Sequence, residues 1–259
     1  MSYVIPRSLL RSSLRQPLQL LFCVLLIALP AAGDPLSDLR AVLQRYPAKA
    51  PFAASASLRL NGESEDVAAS RGGSTNFEVE FGSAGMLLRV PPAALGAAES
   101  EAESKKRNPE NLTPTRNAMV ALTVFDIIDA MDIASMLVND LDGATLIGET
   151  QSTSGGKPAA LLRVKVKPTL AGTSSRLVNE PKIELRVWVT SDGIPVAAER
   201  DSDYSASFLF VKAANVRKER WAIAVAGDRL YASRADQSNR ASAVGKNIAS
   251  SLSVAYMPK

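Results

Sequence analysis

The sequence predicts an α+β protein that is mainly antiparallel β: a strongly curved open barrel, a half-barrel, with a long helix on its concave face. Three observations predict it. Apolar and polar residues alternate with period two from Phe52 to Phe81 and again from Thr145 to Tyr256. Turn dipeptides such as Asn61-Gly62, Gly155-Gly156, Asp192-Gly193 and Gly227-Asp228 punctuate those runs, and such short turns join antiparallel neighbours. Between the two sets of strands lies one long segment of helical periodicity, residues 117–142. About a dozen strands in one sheet must curl strongly or close.

The chain begins with Arg7, Arg11 and Arg15, no acid, and an apolar run over 18–29 that ends in Pro30-Ala31-Ala32-Gly33. That three-part pattern is a secretory signal peptide over residues 1–33, with cleavage expected before Asp34. Residues 34–259 are then one β-rich domain, with no stable transmembrane segment after processing. Cys23, the only cysteine, lies in the leader without small residues before it, which argues against lipidation. The remaining chain has no cysteine and no histidine, so packing alone must hold its core. The leader also carries three of the positive charges behind the net +4. The rest is nearly neutral, and nothing in it asks for nucleic acid.

After the leader, Leu36, Leu39, Val42 and Leu43 have the spacing of a short amphipathic helix that Pro47 stops. Phe52, Ala54, Ala56, Leu58 and Leu60 form a strand that Asn61-Gly62 is expected to turn, with a weaker strand returning over 65–71. Phe77, Val79 and Phe81 form another, and Met86 to Val90 a fourth, ended by Pro91-Pro92. Residues 93–111 are Ala-rich, then charged, without apolar periodicity; they read as an exposed mobile insertion over about 93–112. Beyond 142 come strands around Ile147, Val164, Val187, Val196, Phe208, Trp221 and Val254, with a poorly patterned stretch at 234–247.

The 117–142 helix has Thr113-Pro114 as its start signal and Gly143 as its stop. Val120, Val124, Ile127, Ile128, Met131 and Val138 share one face. Leu122, Phe125, Ile133 and Met136 lie opposite, interleaved with Asp126, Asp129 and Asp132. A helix apolar nearly all round is buried on more than one side. Its plain role is core packing. Its sharper role is the wall of an apolar cavity, to which Met119, Met131 and Met136 would lend adaptability. The three aspartates are too widely spread to converge on a metal and read as a solvated flank.

No catalytic constellation is visible. Missing histidine removes most nucleophilic triads and zinc sites, and missing cysteine removes thiol chemistry. A carboxylate pair or Ser–Lys dyad stays open, since spacing selects none, and no cofactor or metal is expected. Alanines in the strands, among them Ala54, Ala56, Ala198, Ala222 and Ala224, fill little volume and leave room for a helix or ligand. The candidate ligand-binding residues are Val124, Phe125, Ile128, Met131, Met136, Phe208 and Trp221.

The order is suggestive: a leader, an amphipathic helix with Leu39, Leu43, Tyr46 and Pro47, four strands, a helix-bearing insertion, then a long antiparallel series. In that layout the chain resembles the LolA-like group of periplasmic lipoprotein carriers and RseB/MucB-type sensors. The resemblance implies an open antiparallel barrel with helices plugging its concave side and acyl chains bound between. It carries over no individual residue. The expectation is an exported, periplasmic, soluble protein that binds a lipid or lipoprotein acyl chain without catalysis. The alternative is an envelope sensory or protein-binding module that contacts a membrane partner.

Overall fold

Ten strands form one sheet in the order β3-β2-β1-β10-β9-β8-β7-β6-β5-β4, every neighbouring pair antiparallel. This is a computed structural model describing residues 33–64, 72–82, 85–121, 123–168, 179, 181–208, 211–243 and 246–259. The expected leader and the expected strand at 65–71 lie outside the described residues. The strands are β1 Phe52–Ser64, β2 Gly73–Gly82, β3 Gly85–Arg89, β4 Thr145–Ser154, β5 Lys157–Lys165, β6 Lys182–Val189, β7 Pro195–Phe208, β8 Val211–Ala226, β9 Arg229–Ala243 and β10 Lys246–Pro258. The helices are α1 Pro35–Leu43, α2 Pro92–Arg107, α3 Pro114–Ala121, α4 Val124–Met131 and α5 Ile133–Leu141. Residues Asp34–Lys259 make one compact unit. The sheet is open: β3 and β4 are its two edges.

That topology dictates where the helices go. β3 and β4 are consecutive strands at opposite edges, so the chain between them must cross the whole sheet. Ten strands at about 4.8 Å spacing span roughly 43 Å. Three short helices at about 1.5 Å per residue, with their joints, come close to that reach. Helices α3, α4 and α5 lie on the face to which β1, β8, β9 and β10 turn Ala56, Leu58, Trp221, Ala232, Val254 and Tyr256, all buried. Ile127, Met131, Ile133, Leu137 and Leu141 complete this core from the helix side.

The long helix expected over 117–142 is three helices. Thr123 caps α4 through a reciprocal capping box: its Oγ1 accepts from the Asp126 N–H at 3.2 Å, and Asp126 Oδ2 accepts from the Thr123 N–H at 3.0 Å. Asp132 ends α4 and caps α5, accepting from the Ser135 N–H at 3.1 Å. Cap residues offer the backbone a local alternative to continued helix, and here two of them interrupt a continuous apolar pattern.

Two further expectations are corrected. The insertion at 93–112 is largely helix α2, consistent with the strong helix propensity of its Ala, Glu and Lys residues. It buries no side chain fully, which is why it lacks apolar periodicity. It is nevertheless tied down: the Glu101 carboxylate accepts from the Thr115 and Arg116 N–H groups, both at 3.0 Å, capping α3. Asn61-Gly62 does not turn; β1 runs through it, paired with Ser251 and Ser250 of β10. Ladder pairing with a long neighbour outweighs the local turn preference. The poorly patterned 234–247 stretch is likewise strand at 234–243 and from 246 on.

One glycine has a packing reason. A Cβ on Gly73 of β2 would sit 1.8 Å from the Pro114 carbonyl oxygen, so the start of α3 rests directly on the β2 backbone.

Candidate functional site

A wide, open recess on the helix side lies between α4–α5 and strands β6–β8. It is a groove of about 510 Å³ whose apolar lining includes Phe125, Val166, Pro168, Ile183 and Tyr204. Its polar side holds a bridged cluster of charges. Arg200 Nη1 donates to Asp140 of α5 at 3.0 Å, and its Nε donates to Glu219 of β8 at 2.8 Å. Arg217 Nη2 donates to Asp126 of α4 at 3.0 Å and to Glu219 at 2.6 Å. The Arg200 guanidinium also sits 5.3 Å from the Trp221 ring centroid, a cation–π contact. Both arginines thus tether a helix to the sheet.

Asp129 completes the cluster. Among the described residues it makes no hydrogen bond or ion pair, and it lines this groove and the gap beneath α4. Burial raises its pKa above the usual aspartate value; Arg200 opposes the rise, while Glu219, Asp140 and Asp126 add to it. Burial likewise raises Asp140, against the pull of Arg200. Arg200, drawn by Glu219 and Asp140, is held above its ordinary range despite its own burial.

Beneath α4 the space is nearly full. The gap bordered by Trp221, Leu252, Val254 and Tyr256 measures about 20 Å³, room for one water. A buried Arg229 pins the far end of α4, donating to the Met131 carbonyl at 3.0 Å and to Ala48 and Ala50 carbonyls at 2.6 and 3.2 Å. Its guanidinium lies near the Phe52 and Phe81 rings, 5.4 and 5.3 Å from their centroids.

The structure divides the candidate residues into two groups. Met131, Met136 and Trp221 are buried in the core. Val124, Phe125 and Ile128 are 53%, 76% and 38% exposed, and Val120 of α3 is 74% exposed. They are exposed side chains of α3 and α4, and Phe125 lines the groove. Phe208 is the last residue of β7, and its side chain lies outside the described residues. The three aspartates act separately: Asp126 caps α4 and pairs with Arg217, Asp132 caps α5, and Asp129 faces the groove. Among the described residues no group of three or more metal-binding side chains could hold an ion. No described helix is long and apolar enough to cross a membrane, which leaves crossing by strands untouched.

No protein-family model, curated protein or solved structure matches this chain. The functional reading therefore rests on residues and geometry.

Sequence reading missed Arg200, Arg217, Glu219, Asp140 and Arg229. A signal for three of them was present. Two-residue spacing puts Arg217 and Glu219 on the same face of β8 as Trp221, and Arg200 on the same face of β7 as Ala198. Charges on the apolar face of a strand mark either a buried network or a site.

Proposed function

We propose that the protein binds an acyl chain, of a lipid or a lipidated protein, along the groove beside α4, with α4 as the movable wall. We take it to act after export, in the periplasm, as a soluble carrier without catalysis. We take the sheet to be a half-barrel with α3–α5 on its concave side, the layout that prompts comparison with LolA-like carriers.

The observation that carries this reading is the exposure of Val120, Val124, Phe125 and Ile128 on two short helices joined around Thr123. Val124 and Phe125 lie one turn from Ile128 on α4, and clustered exposed apolar side chains beside a groove mark a surface that meets another apolar body. The groove volume falls in the range of small-molecule sites. Its amphipathic lining suits a chain with a polar head.

The test is a lipid extract of protein purified from cells, read by mass spectrometry, with titration of a fluorescent fatty acid into the delipidated chain. Saturable binding is expected, weakened about tenfold or more in Phe125→Asp, which places a charge on the apolar lining. A folded protein that yields no lipid and binds no fatty acid overturns the reading. So does a Phe125→Asp variant that binds as well as the parent.

A further inference from the structure

The sheet face away from the helices carries a second recess. Its main lobe measures about 660 Å³ and adjoins a lobe of about 320 Å³, the two sharing Asn61, Lys218, Ser238 and Ser251. The strands make it by a choice of side-chain size. The outward residues of β10 are Ala249, Ser251, Ser253 and Ala255, all small, while β1, β8 and β9 on either side carry the long Arg59, Lys218, Arg220, Arg234 and Arg240 among shorter residues. The result is a trough about 20 Å long, taking about 3.4 Å per strand residue.

The lining is cationic. Arg59, Lys218, Arg220, Arg234 and Arg240 face it, against one carboxylate, Asp236. Arg234 pairs with Asp236 at 2.8 Å and Arg220 with Glu199 of β7 at 3.0 Å. Arg59, Lys218 and Arg240 form no ion pair among the described residues. Asp201 stands opposite Lys218 in the ladder but bonds Arg186 instead, at 2.8 Å.

The register spaces these charges regularly. One rung across the strands holds Arg234 with Ala255 and Ser57. The next holds Arg220, Asp236, Ser253 and Arg59, and the third Lys218, Ser238, Ser251 and Asn61. The fourth holds Val216, Arg240, Ala249 and Glu63. Every rung supplies a cation, and successive rungs are about 6.8 Å apart.

We propose that this trough docks an extended acidic segment of a partner protein, one with Asp or Glu at alternate positions. An extended peptide presents same-side residues at the same spacing of about 6.8 Å, so its carboxylates meet the unpaired Arg59, Lys218 and Arg240 on three successive rungs. Guanidinium groups suit carboxylates through two parallel hydrogen bonds, and the floor serines offer donors and acceptors to a backbone lying on them. No aromatic side chain lines the trough, so it lacks the stacking platform of a single-stranded nucleic-acid site. Its recessed floor fits a chain better than a flat bilayer. This site lies on the opposite face from the acyl-chain groove and does not depend on it.

The experiment is fluorescence anisotropy of a labelled peptide of about seven residues with alternating Glu and Ser, titrated with the full chain at low salt. The comparison probes are an alternating Lys–Ser peptide, a thymidine oligonucleotide and vesicles containing phosphatidylglycerol. Saturable binding of the Glu peptide is expected, weakening as salt rises. The double variant Arg59→Glu, Lys218→Glu should weaken it about tenfold or more. Ser253→Tyr, which fills the floor and leaves every charge, should weaken it as well, while Phe125→Asp leaves it unchanged. Circular dichroism melts check that each variant folds. Absence of saturable binding overturns the proposal. So does equal or tighter binding of the oligonucleotide or vesicles, or full binding by folded Ser253→Tyr.

Discussion

Replacing Arg200 with Met tests the view that buried charge fastens α5 to the sheet. Arg200 bridges Asp140 of α5 and Glu219 of β8, and the three side chains are 18%, 15% and 7% exposed. Met keeps the bulk of the arginine stem and removes the guanidinium charge that sits over Trp221, so the perturbation is chiefly electrostatic. Removing one partner of a buried ion pair costs about 3–5 kcal/mol, because the other charge is left uncompensated. For a chain of this size about 2–4 °C of melting temperature corresponds to 1 kcal/mol, so the melt should fall by about 6–20 °C at neutral pH.

The loss must also depend on pH in one direction. Burial already raises the Asp140 pKa above 3.8, and Arg200 restrains that rise. Without Arg200 the folded-state value climbs further. A carboxylate whose folded pKa lies above its unfolded value destabilises the fold when ionised, and that penalty disappears as pH falls through the folded pKa. The gap between parent and variant should therefore narrow steadily from neutral pH towards pH 3.8. Adding Asp140→Asn and Glu219→Gln to Arg200→Met should recover much of the stability at neutral pH. Urea melts followed by circular dichroism across pH measure both. A shift under about 2 °C at neutral pH, or a loss that pH does not change, refutes the reasoning.

Three other outcomes follow from the same geometry. Asp129→Asn should raise the melting temperature at neutral pH, because burial disfavours the aspartate charge, and the gain should vanish as pH falls through the raised pKa towards 3.8. Glu101→Gln should destabilise the α2–α3 contact at neutral pH. Burial disfavours the Glu101 charge, but the N–H bonds from Arg116 and Thr115 outweigh it and hold the pKa low. This stabilisation is present above the unfolded value of 4.5 and lost as pH falls through the lowered one, so hydrogen exchange of α3 amides in parent and variant should converge in acid. Gly73→Ala forces a methyl against the Pro114 carbonyl oxygen, and a loss of about 1–3 kcal/mol in urea melts is expected.

The sheet was legible in the sequence where its two faces differ. Lys182 to Val189 alternates cleanly, because β6 buries Leu185, Val187 and Val189 while turning Lys182, Glu184 and Arg186 to the other face. The long arms of β8 and β9 were not legible, since the inward residues there are Asn215, Arg217, Asn239 and Ala241 rather than large apolar ones. No polarity contrast survives in such a stretch for periodicity to detect. The helix breaks failed differently: Thr123-x-x-Asp126 and Asp132-x-x-Ser135 are readable cap signals, overridden in reading by the apolar run across them. Of the candidate ligand residues Phe125 lines the groove, whereas its neighbours there, Val166, Pro168, Ile183 and Tyr204, were not anticipated. Nor was the groove's charged half, because Arg200, Arg217 and Glu219 converge with Asp126 and Asp140 only through strand register and the helix crossing.

If an acyl chain enters beneath the helices, the cost of lifting each helix decides which one moves. Helix α5 buries Ile133, Ala134, Met136, Leu137 and Leu141 and is held by Arg200 and by Arg40, which donates to the Leu141 carbonyl. Helix α4 buries only Ile127, Ala130 and Met131. At about 1.5–3 kcal/mol for each large side chain, Ile127 and Met131 together contribute about 3–6 kcal/mol, with α5 contributing roughly twice that. The part-exposed Asp126–Arg217 pair adds at most about 1 kcal/mol, and the buried Arg229 bond to the Met131 carbonyl about 1.5–3 kcal/mol. Opening at α4 therefore costs about 5–10 kcal/mol, which burial of about seven to twelve methylenes at about 0.8 kcal/mol each would offset. Binding should then show a threshold. Saturated fatty acids near six carbons should not compete with a fluorescent probe, and those near sixteen should. Between them each added pair of methylenes should tighten binding by about tenfold or somewhat more. Arg217→Ala, which removes one of the two tethers of α4, should lower the threshold rather than abolish binding. Affinity that is flat across the series, or lost in Arg217→Ala, would mean that the ligand sits outside a closed α4 or that the helix never moves.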